Sequence, residues 1–79
     1  MNPEHVKIVM QGTESLNTWR EVVLNQHIQL DLSDCDLSGI DLTGAKLGNA
    51  ILSNSNLQNA KLSNANLANA DLSGANLEY

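Results

Sequence analysis

The residues able to do chemistry are few and lie apart. His5 and His27 both fall in the first third of the chain, away from any paired nucleophile. Isolated in this way they read as solvated helix-surface or boundary groups, since general acid–base work needs a partner within hydrogen-bond reach. Cys35 is the one cysteine, so no internal disulfide is available, and a reducing cytoplasm is the simplest compartment for such a chain. Metal ligation needs convergent ligands, and no Cys/His spacing supplies them. Asp31, Asp34, Asp36 and Asp41 form an acidic cluster that reads as a solvated surface. A Ca2+ site built from Asp31, Asp34 and Asp36 has neither an EF-hand nor a nonapeptide pattern behind it. The expectation is no catalytic residue, no cofactor and no metal.

The bulk properties narrow the partners. A chain of 79 residues with a formal charge of −5 has room for one small domain. Four Lys+Arg spread over its length make no basic stripe for phosphates, which argues against direct nucleic-acid binding. Trp19 and Tyr79 are the only aromatics among Phe, Trp and Tyr, so no base-stacking platform exists either. No apolar run is long enough to span a membrane, and residues 1–12 lack the basic start and long apolar stretch of a signal peptide.

What positions every residue after about 30 is a period of five. Leu32, Leu37, Leu42, Leu47, Leu52, Leu57, Leu62, Leu67, Leu72 and Leu77 recur without interruption, and two residues before each stands a second small or apolar residue, most often alanine. In a helix, five residues advance by about 500°, so the leucines would wind around the axis. In a straight strand, leucines five apart would point to opposite faces. All ten can share one interior only if the chain turns a corner once per repeat. Two residues after each leucine come Asp34, Gly39, Gly44, Asn49, Asn54, Asn59, Asn64, Asn69 and Gly74, with Tyr79 closing the series. These residue types tolerate the left-handed backbone angles a corner requires. Alanine at the second inward position indicates a narrow interior, and Cys35, standing in one of those positions, reads as a small buried hydrophobe.

Written as repeats, the stretch is LDLSD CDLSG IDLTG AKLGN AILSN SNLQN AKLSN ANLAN ADLSG ANLEY. It resembles the pentapeptide-repeat family, whose consensus is A(D/N)LXX. That resemblance implies an all-β solenoid, a right-handed quadrilateral β-helix with four pentapeptides per coil. Ten repeats then make about two and a half coils, a rise of about 12 Å at the spacing of stacked strands. Residues twenty apart would stack, aligning Asp31, Ile51 and Asp71 on one column and Asp41 with Lys61 on another. Ile51 would be an outward apolar contact between two acids. The run from Gln11 to Arg20, QGTESLNTWR, is similar to a leader preceding many cyanobacterial pentapeptide-repeat domains, with Leu16 where that leader has its first tryptophan.

Residues 1–29 read as a short N-terminal helical cap on the solenoid at 30–79. Asn2 is a suitable N-cap, Pro3 suits the first helical position, and Gly12 suits the end of a helix over about 4–11. Thr13 would cap a second helix over about 14–26. Leu16, Trp19 and Val23 fall on one stripe of that helix and would bury against the first coil, with Trp19 as the main anchor, joined by Met10 or Ile8. At the other end the repeat runs to Leu77 with no cap. Either the solenoid continues in a longer protein or its last coil, presenting Leu72, Leu77 and Tyr79, stacks on another copy. The function expected is non-enzymatic protein–protein interaction or assembly, with a protein partner or self-association into a homodimer or filament. Mimicry of DNA toward a topoisomerase, known for some members of the resembled family, is the alternative. The acidic balance suits it, but about 12 Å of solenoid spans only about three to four base pairs.

Overall fold

The computed structural model describes residues 1–22 and 25–78. Two helices open the chain. Helix α1 runs Pro3–Met10, and the Asn2 side-chain oxygen accepts the Glu4 amide at 3.0 Å, satisfying one of the free donors at the helix start. Pro3 sits at the first turn, where no amide is needed. Helix α2 runs Thr13–Glu21 with Gly12, not Thr13, as its N-cap. Gly12 stands at φ 107, a conformation L side chains rarely adopt, and its carbonyl accepts the Leu16 amide at 3.1 Å. Thr13 is thereby drawn inside the helix.

Helix α2 also stops at Glu21, short of the expected position near 26. Val22 is extended; its amide donates to the Trp19 carbonyl at 3.3 Å, and the Asn25 carboxamide donates to that same carbonyl at 2.9 Å. Val23, expected on the buried stripe, and Tyr79 lie outside the described residues. Among the described residues no helix is long and apolar enough to cross a membrane.

From Leu30 onward the chain comes back alongside itself every twenty residues. Leu32 donates to the Ile51 carbonyl at 2.8 Å, Ile51 donates to the Leu30 carbonyl at 2.8 Å, and Asp34 donates to the Ser53 carbonyl at 2.9 Å. The pattern recurs down the chain through six parallel bridges: Asp31–Ile51, Asp36–Asn56, Asp41–Lys61, Lys46–Asn66, Ile51–Asp71 and Asn56–Asn76. Four pentapeptides therefore separate each residue from its neighbour in the next layer. Each bridge is a single residue flanked by turns, so the described residues hold no continuous strand.

The corners have one construction. Leu37 accepts from the Ile40 amide at 3.2 Å, Leu42 from Ala45 at 3.0 Å, and the same three-residue step closes the later corners. The residue two after each leucine carries positive φ, between 57 and 62 at Asp34, Asn49, Asn54, Asn59, Asn64 and Asn69. Asparagine tolerates this region and β-branched residues do not. Asn59→Gly is accordingly expected to leave stability nearly unchanged, whereas Asn59→Val should cost on the order of 1–3 kcal/mol. Equilibrium urea unfolding of the two variants checks it.

The interior is a leucine column. Leu30, Leu32, Leu37, Leu42, Leu47, Leu52 and Leu57 are essentially fully buried, with Cys35, Ala45, Ala50 and Ala60 filling the second inward position. Ser55 is buried there too, and its hydroxyl donates to the Leu52 carbonyl at 2.7 Å. From Leu62 onward burial weakens, with Leu62, Leu67 and Leu72 only partly covered and Leu77 39% exposed.

Candidate interaction surface

At seven of the ten outward bridge positions a short polar side chain folds onto its own backbone. The Asp31, Asp36, Asp41 and Asp71 carboxylates each accept from an amide and a hydroxyl two residues on, in Ser33, Ser38, Thr43 and Ser73. Asn56, Asn66 and Asn76 make the amide bond alone. The hydroxyl bond first, and the amide bond next, hold all four carboxyls below the ordinary carboxylate range. A group whose pKa is depressed on folding contributes stability above its unfolded value, about 3.9 for Asp, and loses it as pH falls through the folded value. The urea midpoint is therefore expected to hold from neutral pH down to about pH 5 and to fall below about pH 4. Ser38→Ala with Thr43→Ala should flatten that acid limb.

These bonds occupy two of the three carboxylates, Asp31 and Asp36, that a Ca2+ site in the acidic cluster would need. Asp31 is turned onto Ser33, Asp36 is turned onto Ser38, and Asp34 forms a corner at φ 57. No group of three metal-ligating side chains converges among the described residues. Asp31 also lies 3.8 Å from the Met1 amino group. Ile51 sits half-buried between Asp31 and Asp71 in the outward column, as its spacing requires. Asp41 and Lys61 stack in the next column.

The N-terminal end of the stack is covered. Val9 and Leu16 are completely buried in the same cluster as the first leucines, while Val6, Ile8 and Trp19 pack on it only partly. Trp19 is thus a flank rather than the main anchor: Arg20 lies 5.6 Å from its ring centroid and His5 5.8 Å away. Met10 is 57% exposed and Ile8 takes the place beside Trp19. Backbone groups of the first coil that face the helices find substitutes for a missing layer. Asp31 donates to His5 Nδ1 at 3.0 Å and its carbonyl accepts from the Asn2 amide at 3.0 Å. Asn17 accepts from the Lys46 amide at 2.9 Å and donates to the Gly44 carbonyl at 3.1 Å, standing in for a peptide group. Arg20 donates to the carbonyls of Gly48, Asn25 and Ile28.

His5 and Asn17 are the residues sequence reading missed. His5 was expected to be solvated, yet its Nδ1 accepts the Asp31 amide at 3.0 Å and so holds the first layer. His27 is exposed. Cys35 is buried, its thiol donating to the Ser33 carbonyl at 3.4 Å, and desolvation pushes its pKa up, which makes it a poor nucleophile. A cleft of about 480 Å³ beside Arg20, His27, Lys46 and Asn66 brings no nucleophile–base pair together.

The C-terminal end has the opposite character. The amides of Leu62, Asn64, Leu67, Asn69, Leu72, Gly74 and Leu77 find no acceptor among the described residues, although the corresponding groups one layer up are all paired. The half-covered leucines lie on the same end. Unpaired ladder groups beside apolar side chains form an edge able to add another strand-like layer. Leu72 and Leu77 belong to this edge.

The family model for pentapeptide repeats matches residues 40–78 with eight copies. Residues 40–78 are pentapeptide repeats. The matched pentapeptide repeats begin after LDLSD and CDLSG, the two repeats that carry Leu30 and Cys35 where later ones carry mostly alanine, and which continue the same hydrogen-bond register. Neither the curated proteins nor the solved structures give a significant match to the chain.

Proposed function

We propose that this pentapeptide-repeat chain is a non-enzymatic protein-interaction module. In this reading it is a right-handed quadrilateral β-helix of about two and a half coils under a helical cap, working in a reducing bacterial cytoplasm and binding through its open C-terminal coil. The observation that carries it is the contrast between the two ends. Substitute partners meet the first coil, while the last presents unpaired amides and half-covered leucines. The side faces contribute mostly short polar side chains, seven of them bonded to their own backbone, with Ile51 as an apolar contact.

The test is association as a function of concentration, followed by sedimentation velocity. Leu72→Asp should abolish association, because it places a charge on the contact where a leucine would be desolvated. Leu77→Asp should do the same. Ser38→Ala, on a side face, should leave it intact. Association insensitive to both leucine changes would remove the C-terminal coil as the binding surface.

A further inference from the structure

Beyond the C-terminal coil, we infer that the side of the solenoid carrying Lys46 and Asn66 docks an acidic, extended segment of a protein partner, one of its carboxylates seated on the Gly48 amide. The repeat itself shows what that amide lacks. In seven repeats the amide after the leucine donates to a carboxylate or carboxamide oxygen two residues earlier, as Ser38 does to Asp36 and Ala68 to Asn66. At Gly48 the residue two earlier is Lys46, which has no acceptor to offer. Among the described residues the Gly48 amide makes no hydrogen bond. A carboxylate from outside would make the bond that Asp31, Asp36, Asp41 and Asp71 make internally. Two other repeats lack the acceptor, and neither offers the same seat. Ile51 stands before Ser53 and brings no charge. Lys61 stands before Ser63 but stacks on Asp41, so a carboxylate is already beside it, whereas Lys46 stacks on the neutral Asn66.

The groups nearest the Gly48 amide are donors. Asn66 uses its Oδ1 on the Ala68 amide at 3.0 Å, and its Nδ2 lies 3.9 Å from where a Gly48 Cβ would stand. Arg20 donates to the Gly48 carbonyl at 3.3 Å, which holds a guanidinium charge beside the same peptide unit. Arg20, Lys46, Gly48 and Asn66 line one cleft of about 480 Å³, within the size range of ligand sites. Two of the four Lys and Arg residues thus share this cleft in a chain of net charge −5. The one ion pair among the described residues joins Met1 to Asp31, so neither cation has a counter-ion there, and Glu21 at the rim is exposed.

The shape of this side suits a segment more than a lone anion. The residue after the leucine is glycine at 48 and alanine at 68, where the other three sides carry Ser, Thr, Gln or Glu. Nothing longer than a methyl group projects from those positions, so an extended chain can lie flat along the face. It is also the one side without an aspartate or glutamate, since AKLGN and ANLAN contain none. An acidic segment therefore meets no like charge on it, and its carboxylate gains charge-assisted hydrogen bonds from a backbone amide flanked by two cations.

The experiment follows the amide chemical shifts of the nitrogen-15-labelled full chain during titration with a terminally blocked heptapeptide that alternates glycine and aspartate. The Gly48 amide should move downfield and saturate, together with the Asn66 carboxamide. Replacing every aspartate of the peptide by asparagine should weaken binding about tenfold, because a charged acceptor becomes a neutral one. Lys46→Asp should fold, since it supplies the internal acceptor that other repeats have, and should abolish binding. Lys61→Asp makes the same change of charge on another side and should leave binding within about twofold. Binding that survives Lys46→Asp, or that Lys61→Asp weakens equally, would overturn the site. Inorganic phosphate moving the Gly48 amide at the same concentrations as the peptide would reduce the cleft to a simple anion site and overturn the docked segment. The same shift on concentrating the protein alone would give the cleft to a second copy and overturn the partner.

Discussion

Leu42→Ala is expected to destabilise the protein by about 2–5 kcal/mol, the usual cost of truncating a buried leucine when its surroundings cannot collapse. The site cannot relax because the layers are tied above and below. Leu42 donates to the Lys61 carbonyl at 2.7 Å and accepts from Ala45 at 3.0 Å, and its side chain is fully buried. A domain of this size has a total stability of only several kcal/mol, so the variant should be largely unfolded at room temperature. Leu72→Ala removes the same atoms from a partly covered position and should cost clearly less, about 1 kcal/mol in dilute protein. Circular dichroism during urea titration separates the two. Equal losses at both positions would mean that the leucine column is not a graded stack closed at one end.

The second large effect concerns the cap. Leu16→Asp should cost at least as much as Leu42→Ala, because it leaves an unpaired carboxylate against the first coil. The damage should spread, since in a stacked repeat each layer is stabilised by its neighbours. Trp19→Ala, despite removing a larger side chain, is expected to cost less than Leu16→Ala, for Trp19 is only partly buried and Leu16 is fully so. Asn17→Ala should cost about 1–3 kcal/mol by freeing the Lys46 amide and the Gly44 carbonyl. Thermal unfolding of the four variants gives the order. Trp19→Ala as the worst of them would restore the tryptophan as anchor.

The winding of the repeat was legible in the sequence because a period of five has one geometric solution. Leucine in phase, asparagine or glycine two residues later and alanine two residues earlier together demand a corner per repeat. That four corners complete a turn, which sets the bridges twenty residues apart, Asp31 to Ile51 among them, was implied by the family resemblance and not by the period. The cap was read less well, since helix ends depend on groups distant in sequence. Gly12 displaced Thr13 as N-cap through its positive φ, and α2 ends where the Trp19 carbonyl takes both the Val22 amide and the distant Asn25 carboxamide. Tryptophan drew the anchoring role on size alone, while the smaller Val9 and Leu16 fit the narrow mouth of the first coil. The candidate surface was half legible. Leu72 and Leu77 lie on the leucine period that the sequence shows, but the substitute bonds from His5 and Asn17 needed the three-dimensional register of the first coil.

The central claim is that the C-terminal edge is open in the isolated chain and becomes paired when the chain acts. Amide hydrogen exchange, read residue by residue at low and high protein concentration, tests it most directly. In dilute protein the amides of Leu32, Leu37, Leu42, Leu47, Leu52 and Leu57, each bonded to the next layer, should be protected. Those of Leu62, Leu67, Leu72 and Leu77 should exchange rapidly. Raising the concentration should slow that second group selectively and leave the side faces unchanged. Protection of all ten leucine amides at every dilution, or association that slows exchange elsewhere while this edge stays fast, would contradict the account.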